Sequence, residues 1–173
     1  QIFPGGQLGG EREVAEGMRL GSIQGADSTL AALSSWVPEG QIFDLPVIFR
    51  DLGQVEAVTN GPIGDRYKPL YRAQGFELLS YITYGARNVV SREAILTPAD
   101  VRGKKIRVLQ SPLHIAIWKQ MGANPTAIPI TETYAALSTG RVDFMDMTKD
   151  GLEALGLFEV AQGFGWRGHI VSR

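Results

Sequence analysis

The sequence has no cysteine, which excludes disulfides and thiolate metal sites. It has only two histidines, His114 and His169, too far apart for an HxxxH or HExxH metal motif. No metal or other cofactor is therefore expected. No apolar run approaches the roughly 18 residues of a membrane span, so the chain is not expected to cross a bilayer. Basic residues are not in excess: 17 Lys and Arg against 18 Asp and Glu give a net charge of −1, which argues against a general nucleic-acid binder. A GxSxG nucleophile elbow is lacking as well. No signal peptide is visible, and the opening Gln1-Ile2-Phe3-Pro4 without an initiator Met reads as a processed, trimmed or excised piece.

What is present is the balance of a globular protein, 44% hydrophobic and 20% charged residues, with enough length for one domain or two small lobes. Glu11 to Leu20 has helical spacing, acidic residues in its first turn and Gly21 as its stop. Ser22–Ala26 is a short strand candidate. Leu45–Phe49 is an apolar loop. Val55–Gln74 is helical but broken by Gly61-Pro62. Phe76–Tyr84, aromatic and β-branched, reads as a strand that continues after Gly85 through Asn88–Ser91. Then come a turn at Pro98–Gly103, a strand at Lys104–Leu109, a helix at Pro112–Met121, a strand at Ala127–Ile130 and a helix at Thr131–Ser138 capped by Thr131. A strand at Val142–Met147, a short helix at Gly151–Leu157 and a last strand at His169–Val171 complete the order. Strands alternating with helices predict an α/β architecture with mostly parallel sheets. Gly85-Ala86 is the best lobe boundary, giving 1–85 and 86–173.

Gly163-Phe164-Gly165-Trp166-Arg167-Gly168 fits the dinucleotide pattern GxGxxG, but a helix precedes it and a strand follows, the reverse of the required context. The histidines read as a surface helix residue and a strand-end residue. Asp143 and Asp146, an odd number of residues apart, fall on opposite faces of a strand and do not pair as acid and base.

Arg102-Gly103-Lys104-Lys105-Ile106-Arg107-Val108 is the most informative stretch. Alternation sets Ile106 and Val108 on one face of a strand and Lys105, Arg107 and Leu109 on the other. Arg107 sits near the strand's carboxyl end, where open α/β sheets bind ligands. A guanidinium there suits a carboxylate ligand, and equally an internal Asp or Glu or plain exposure. Arg87, at the lobe boundary, is a second basic group, and two converging arginines would clamp an anion.

Taken in order, several landmarks resemble one family. They are Gln7-Leu8-Gly9-Gly10-Glu11-Arg12-Glu13, Asp44-Leu45-Pro46-Val47-Ile48-Phe49, Gly85-Ala86-Arg87, the stretch from Pro98 to Val108, Gly122-Ala123-Asn124-Pro125, Glu132-Thr133-Tyr134-Ala135-Ala136-Leu137, and Gly140-Arg141-Val142-Asp143. The chain resembles the substrate-binding subunits of tripartite ATP-independent periplasmic (TRAP) transporters, of the dicarboxylate/sialic-acid type. The resemblance implies an α/β, periplasmic-binding-protein-like two-lobed clamshell (type II-like), here incomplete at both ends. It implies a periplasmic protein, not an enzyme, that captures a small organic acid and hands it to a TRAP membrane permease, with closure of the lobes as the signal. It places Arg107 at the family's carboxylate-binding arginine and Arg87 at a second ligand arginine of the sialic-acid branch. Met147 stands where a ligand-contacting Asn is usual, so a less polar ligand tail is expected, with Thr148 or Asp146 as a replacement polar contact. Ile130 stands where sialic-acid binders carry an aromatic wall. Asp27 and Ser28 are expected to close over the ligand from the first lobe. The chain by itself is expected to oligomerise, swap segments or be poorly soluble, because each lobe would lack elements and leave exposed sheet edges. Two other classes remain open: a ligand-sensing module, and an enzyme on a similar frame. The enzyme would need a cluster from His114, His169, Asp143 and Asp146 that the spacing does not supply.

Overall fold

The structure is a computed structural model that describes the backbone of residues 1–172 and the side chains of residues 1–163 and 165. The chain divides into two compact units, Gln1–Gly85 with the backbone from Ile170 onward, and Ala86–His169.

In the first unit, α1 (Glu11–Leu20) ends at Gly21, whose φ of 78° only glycine adopts without strain. Two 3-10 turns, Ala32–Ser35 and Pro38–Asp44, lead to α2 (Leu52–Thr59) and α3 (Pro62–Ala73). Asp51 caps α2 by accepting from the Gln54 amide at 2.8 Å, and Pro62 opens α3, where a missing N–H costs nothing. The core joins Ala15, Leu30, Leu33, Val37, Phe43, Tyr71 and Phe76. Phe43 meets Tyr67 and Tyr81 edge to face, with centroids at 4.9 and 6.0 Å. The strands expected at Ser22–Ala26 and Phe76–Tyr84 do not form, and both stretches are irregular. Their side chains suit a pleated surface, but a strand exists only when a neighbour takes up its backbone bonds.

The second unit is built on a sheet with strand order β3-β2-β4-β1-β5. The strands are β1 (Gly85–Ser91), β2 (Lys105–Val108), β3 (Asn124–Ala127), β4 (Phe144–Met147) and β5 (Gly163–Ser172). β2 runs parallel to β3 and β4, while β1 runs antiparallel to β4, so the sheet is mixed. The GxGxxG stretch lies within β5, which starts at Gly163, six residues before the strand expected at His169–Val171. The histidine expected at a strand end, His169, lies outside the described side chains.

Both faces of this sheet are covered, so β1, β2 and β4 are buried along most of their length. On one face, Val89, Ile106, Val108 and Phe144 pack with Trp118 of α4 (Pro112–Gln120). On the other, Val90, Met145 and Met147 pack with Ala136 and Leu137 of α5 (Thr133–Ser138) and against α6 (Lys149–Ala154) through Leu152. Three local expectations need correction. β3 starts three residues earlier than the run Ala127–Ile130, because Asn124 to Ala127 pair in register with Lys105 to Val108. Thr131 does not cap α5; it lies in a 3-10 turn, Ile130–Glu132, whose last residue precedes the helix. His114 is fully buried on α4 rather than at the surface.

Candidate functional site

The carboxyl ends of β2 and β4 and the amino end of β1 form one edge of the sheet, and most of the residues singled out in the sequence collect there. Arg107 is 1% exposed. It is in register with Met145 of β4 and Thr126 of β3, so it shares the face that carries Met145 and Val90. Its Nε donates to the Ile128 carbonyl at 2.9 Å, which holds the plane of the guanidinium. Burying a fixed cation is costly unless an anion or several acceptors meet it, so this position is built for electrostatics rather than for solubility.

Arg87 and Asp146 contact each other directly. Arg87 is 4% exposed and Asp146 is 0% exposed. Nε of Arg87 donates to Oδ2 of Asp146 at 2.8 Å, and Nη2 donates to Oδ1 at 3.1 Å and to the Asp146 carbonyl at 2.7 Å. This is the two-pronged guanidinium–carboxylate geometry, the strongest form such a pair takes. Val89 is in register with Asp146, so alternation along β1 and β4 assigns Arg87 and Asp146 to the face opposite Arg107. The two arginines thus lie on strands separated by β4 and on different faces, not side by side on neighbouring strands.

Met147 is 6% exposed and packs in the cluster of Ile128, Leu137 and Met145, with Ile130 partly buried against it. Gly151 leaves room for the Met147 sulfur, which a methyl group there would press at 2.5 Å. Thr148 is buried and its hydroxyl caps α6, accepting from the Gly151 amide at 3.3 Å. At the opposite edge of the sheet a polar cavity of about 550 Å³ is lined by Arg92, Glu93, Lys104 and Asp143, of which the sequence had weighed Asp143 only as a catalytic acid or base.

Asp27 and Ser28 belong to the first unit, where they line a separate cavity of about 550 Å³ with Tyr71, Phe76, Tyr81 and Tyr84. Asp27 accepts from the Tyr84 hydroxyl at 3.5 Å. Burial, followed by the nearby charges of Asp27 and Glu11, raises the pKa of Tyr84. The Ser28 hydroxyl is buried with no hydrogen-bond partner among the described residues. Glu11, in the first turn of α1, accepts from the Thr29 amide at 3.1 Å and so ties this loop to the helix.

Among the described residues no group of three or more His, Cys, Asp or Glu side chains could hold a metal ion, and no helix is long and apolar enough to cross a membrane. The Arg87–Asp146 pair was not legible from spacing, because only the antiparallel register of β1 on β4 brings the two residues together. A buried arginine beside a strand rich in apolar residues was the available signal that an acid had to lie near.

Solved structures of the same fold are TRAP periplasmic solute-binding proteins, with a two-lobed clamshell fold; they are binding proteins and not enzymes. The protein from Polaromonas sp. JS666, bound to D-erythronate, matches with a TM-score of 0.96 at 30% identity, over 99% of this chain and 57% of its own. The protein from Sulfurospirillum deleyianum, bound to succinate, matches with a TM-score of 0.96 at 33% identity, over 99% of this chain and 56% of its own. The chain belongs to the DctP family, bacterial extracellular solute-binding protein family 7, whose model matches residues 1–173. A curated relative, the 2,3-diketo-L-gulonate-binding periplasmic protein YiaO of Escherichia coli K12, is 32% identical over 173 residues, 99% of this chain and 53% of that protein. The chain spans about half the length of the curated relatives it matches.

Proposed function

We propose that the protein carrying this chain captures a small organic carboxylate in the periplasm and delivers it to a TRAP-type membrane permease, with Arg107 as the carboxylate anchor. The observation that carries this reading is a nearly fully buried guanidinium at the carboxyl end of β2, its plane held by the Ile128 carbonyl. Its fork matches the two oxygens of a carboxylate, and burial makes the match worth more than it would be in water. Membership of a solute-binding family and acid ligands bound in the structural neighbours support the same chemistry. Membership of a solute-binding protein family supports delivery to a permease.

The test is a thermal-shift screen of organic acids on the full-length protein. At least one acid is expected to raise Tm, and Arg107→Ala is expected to abolish that rise while the unliganded protein still melts cooperatively. Arg107→Lys keeps the charge but not the planar fork, so it is expected to retain only a small part of the shift. An undiminished shift in Arg107→Ala would remove this residue from the site. Delivery is tested by uptake of the identified acid through the reconstituted permease, which should require the binding protein.

A further inference from the structure

Asn60 and Gly61 form the junction between α2 and α3. Asn60 is the exposed C-cap of α2, and its backbone N–H donates to the Glu56 carbonyl at 2.9 Å. Its side-chain amide makes no hydrogen bond among the described residues, and the Gly61 N–H is donated to no backbone carbonyl among them. A side-chain amide carbon and the next residue's N–H are the two reactants that close a five-membered ring. A β-carbon on the second residue would crowd that closure, and here there is none. The fold allows none: it would lie 2.7 Å from the Ala57 carbonyl oxygen. Packing thus requires at 61 the residue that leaves Asn60 most open to attack.

The other candidates along the chain are shielded. Asn88 is 4% exposed, donates to the Ala86 carbonyl at 2.9 Å and precedes the β-branched Val89. Asn124 precedes Pro125, which has no N–H to react. Asp150 precedes Gly151, but that N–H is donated to the Thr148 hydroxyl at 3.3 Å within α6.

We propose that Asn60 is a site of spontaneous modification, converted to aspartate and isoaspartate by its own neighbour. The Gly61 nitrogen adds to the Asn60 side-chain carbon. A new C–N bond forms, the old one breaks, and the amide nitrogen leaves as ammonia with the Gly61 proton. Water then opens the cyclic imide at either carbonyl. One opening gives aspartate, and the other routes the main chain through the side-chain methylene. Nothing is oxidised or reduced, and water is the only co-reactant. The Asn60 ψ of 1° holds the Gly61 nitrogen about a third of a turn from the attacking position, so closure follows fraying of the end of α2. An added main-chain methylene has no room at this junction, where Gly61 faces the Ala57 carbonyl and Gly64 the Thr59 carbonyl. Isoaspartate therefore loosens α2 from α3, and with them Val58 and Tyr67 against the first unit's core. This reaction is independent of the ligand reading.

The experiment ages the full-length protein in mildly alkaline buffer beside a synthetic peptide of residues 55–66, and maps both by mass spectrometry. Conversion of amide to acid is expected at Asn60 before Asn88 or Asn124, and before isomerisation at Asp150. Its rate is expected to be on the order of tenfold below that of the peptide, the cost of opening one helix end. The aged wild type should show a lowered Tm, while Asn60→Ser aged in parallel keeps the Tm of fresh protein. An intact Asn60 in the protein after the peptide has fully converted overturns the proposal, and so does earlier conversion at any other site. An equal fall of Tm in aged Asn60→Ser overturns the loosening of the junction. If Asn60→Ser does not fold, aged wild type is separated by charge into converted and unconverted fractions; a lower Tm in the converted fraction supports the loosening, and an equal Tm overturns it.

Discussion

Tyr71 shows how one buried side chain can govern the pH dependence of stability. Its ring is fully buried in the first unit's core, and its hydroxyl has no hydrogen-bond partner among the described residues. Gly40 makes room for that hydroxyl, because any larger residue would collide with it. Burial, with smaller contributions from Tyr81 and Asp44, pushes the Tyr71 pKa upward. The folded protein therefore keeps a proton that the unfolded chain releases near about pH 10. Stability from this group is complete below that pH and is lost as pH rises toward the raised folded value. Tyr71→Phe is expected to flatten the fall of Tm between about pH 9 and about pH 11, leaving a smaller slope from Tyr84. At neutral pH the same variant should match the parent to within about 1 kcal/mol, since it removes a hydroxyl that bonds to nothing described. Denaturant titrations at the two pH values check both statements. At this scale the sequence marked Arg107 well: alternation along Lys105–Val108 placed it opposite Ile106 and Val108, as found. It could not place Arg87, because the acid that holds Arg87 lies 59 residues away on another strand.

Among the elements, helices were more legible than strands. α1 runs from Glu11 to Leu20 as its spacing and Gly21 required, and Gly61-Pro62 separates α2 from α3. Helix signals are local, since the hydrogen bonds close within a few residues. Strand signals are not, which is why Phe76–Tyr84 has strand composition without a strand and why β3 was displaced by three residues. The α2–α3 junction also contains a constraint that the sequence did not reveal. Gly64 is buried in α3 so close to Thr59 that a methyl group would overlap the Thr59 carbonyl oxygen. Gly64→Ala improves helix propensity by about 1 kcal/mol in an open helix. Here the overlap must be relieved by moving backbone, so a net loss of roughly 2–3 kcal/mol is expected, read as a lower urea midpoint. A stabilised Gly64→Ala variant would show that the two helices separate easily.

For the molecule as a whole, the second unit presents a better-defended edge than the first. The outer strand β3 has only four residues, one of them Pro125, which cannot donate to an added strand. The first unit instead exposes Leu79 and Ile82, at 86% and 56%, on a stretch that does not pair as a strand. Residues 1–173 expressed alone are therefore expected to self-associate, with a sedimentation coefficient that rises with concentration. Leu79→Lys/Ile82→Lys should shift the distribution toward monomer. A parent that sediments as a monodisperse monomer would contradict this expectation.

The order of strands also sets a timetable for the nascent chain. β1 leaves the ribosome long before β4, yet β4 is the strand it pairs with through Asn88 to Ser91. At ordinary elongation rates of about 5–20 residues per second, Arg87 waits several seconds for the carboxylate that will enclose it.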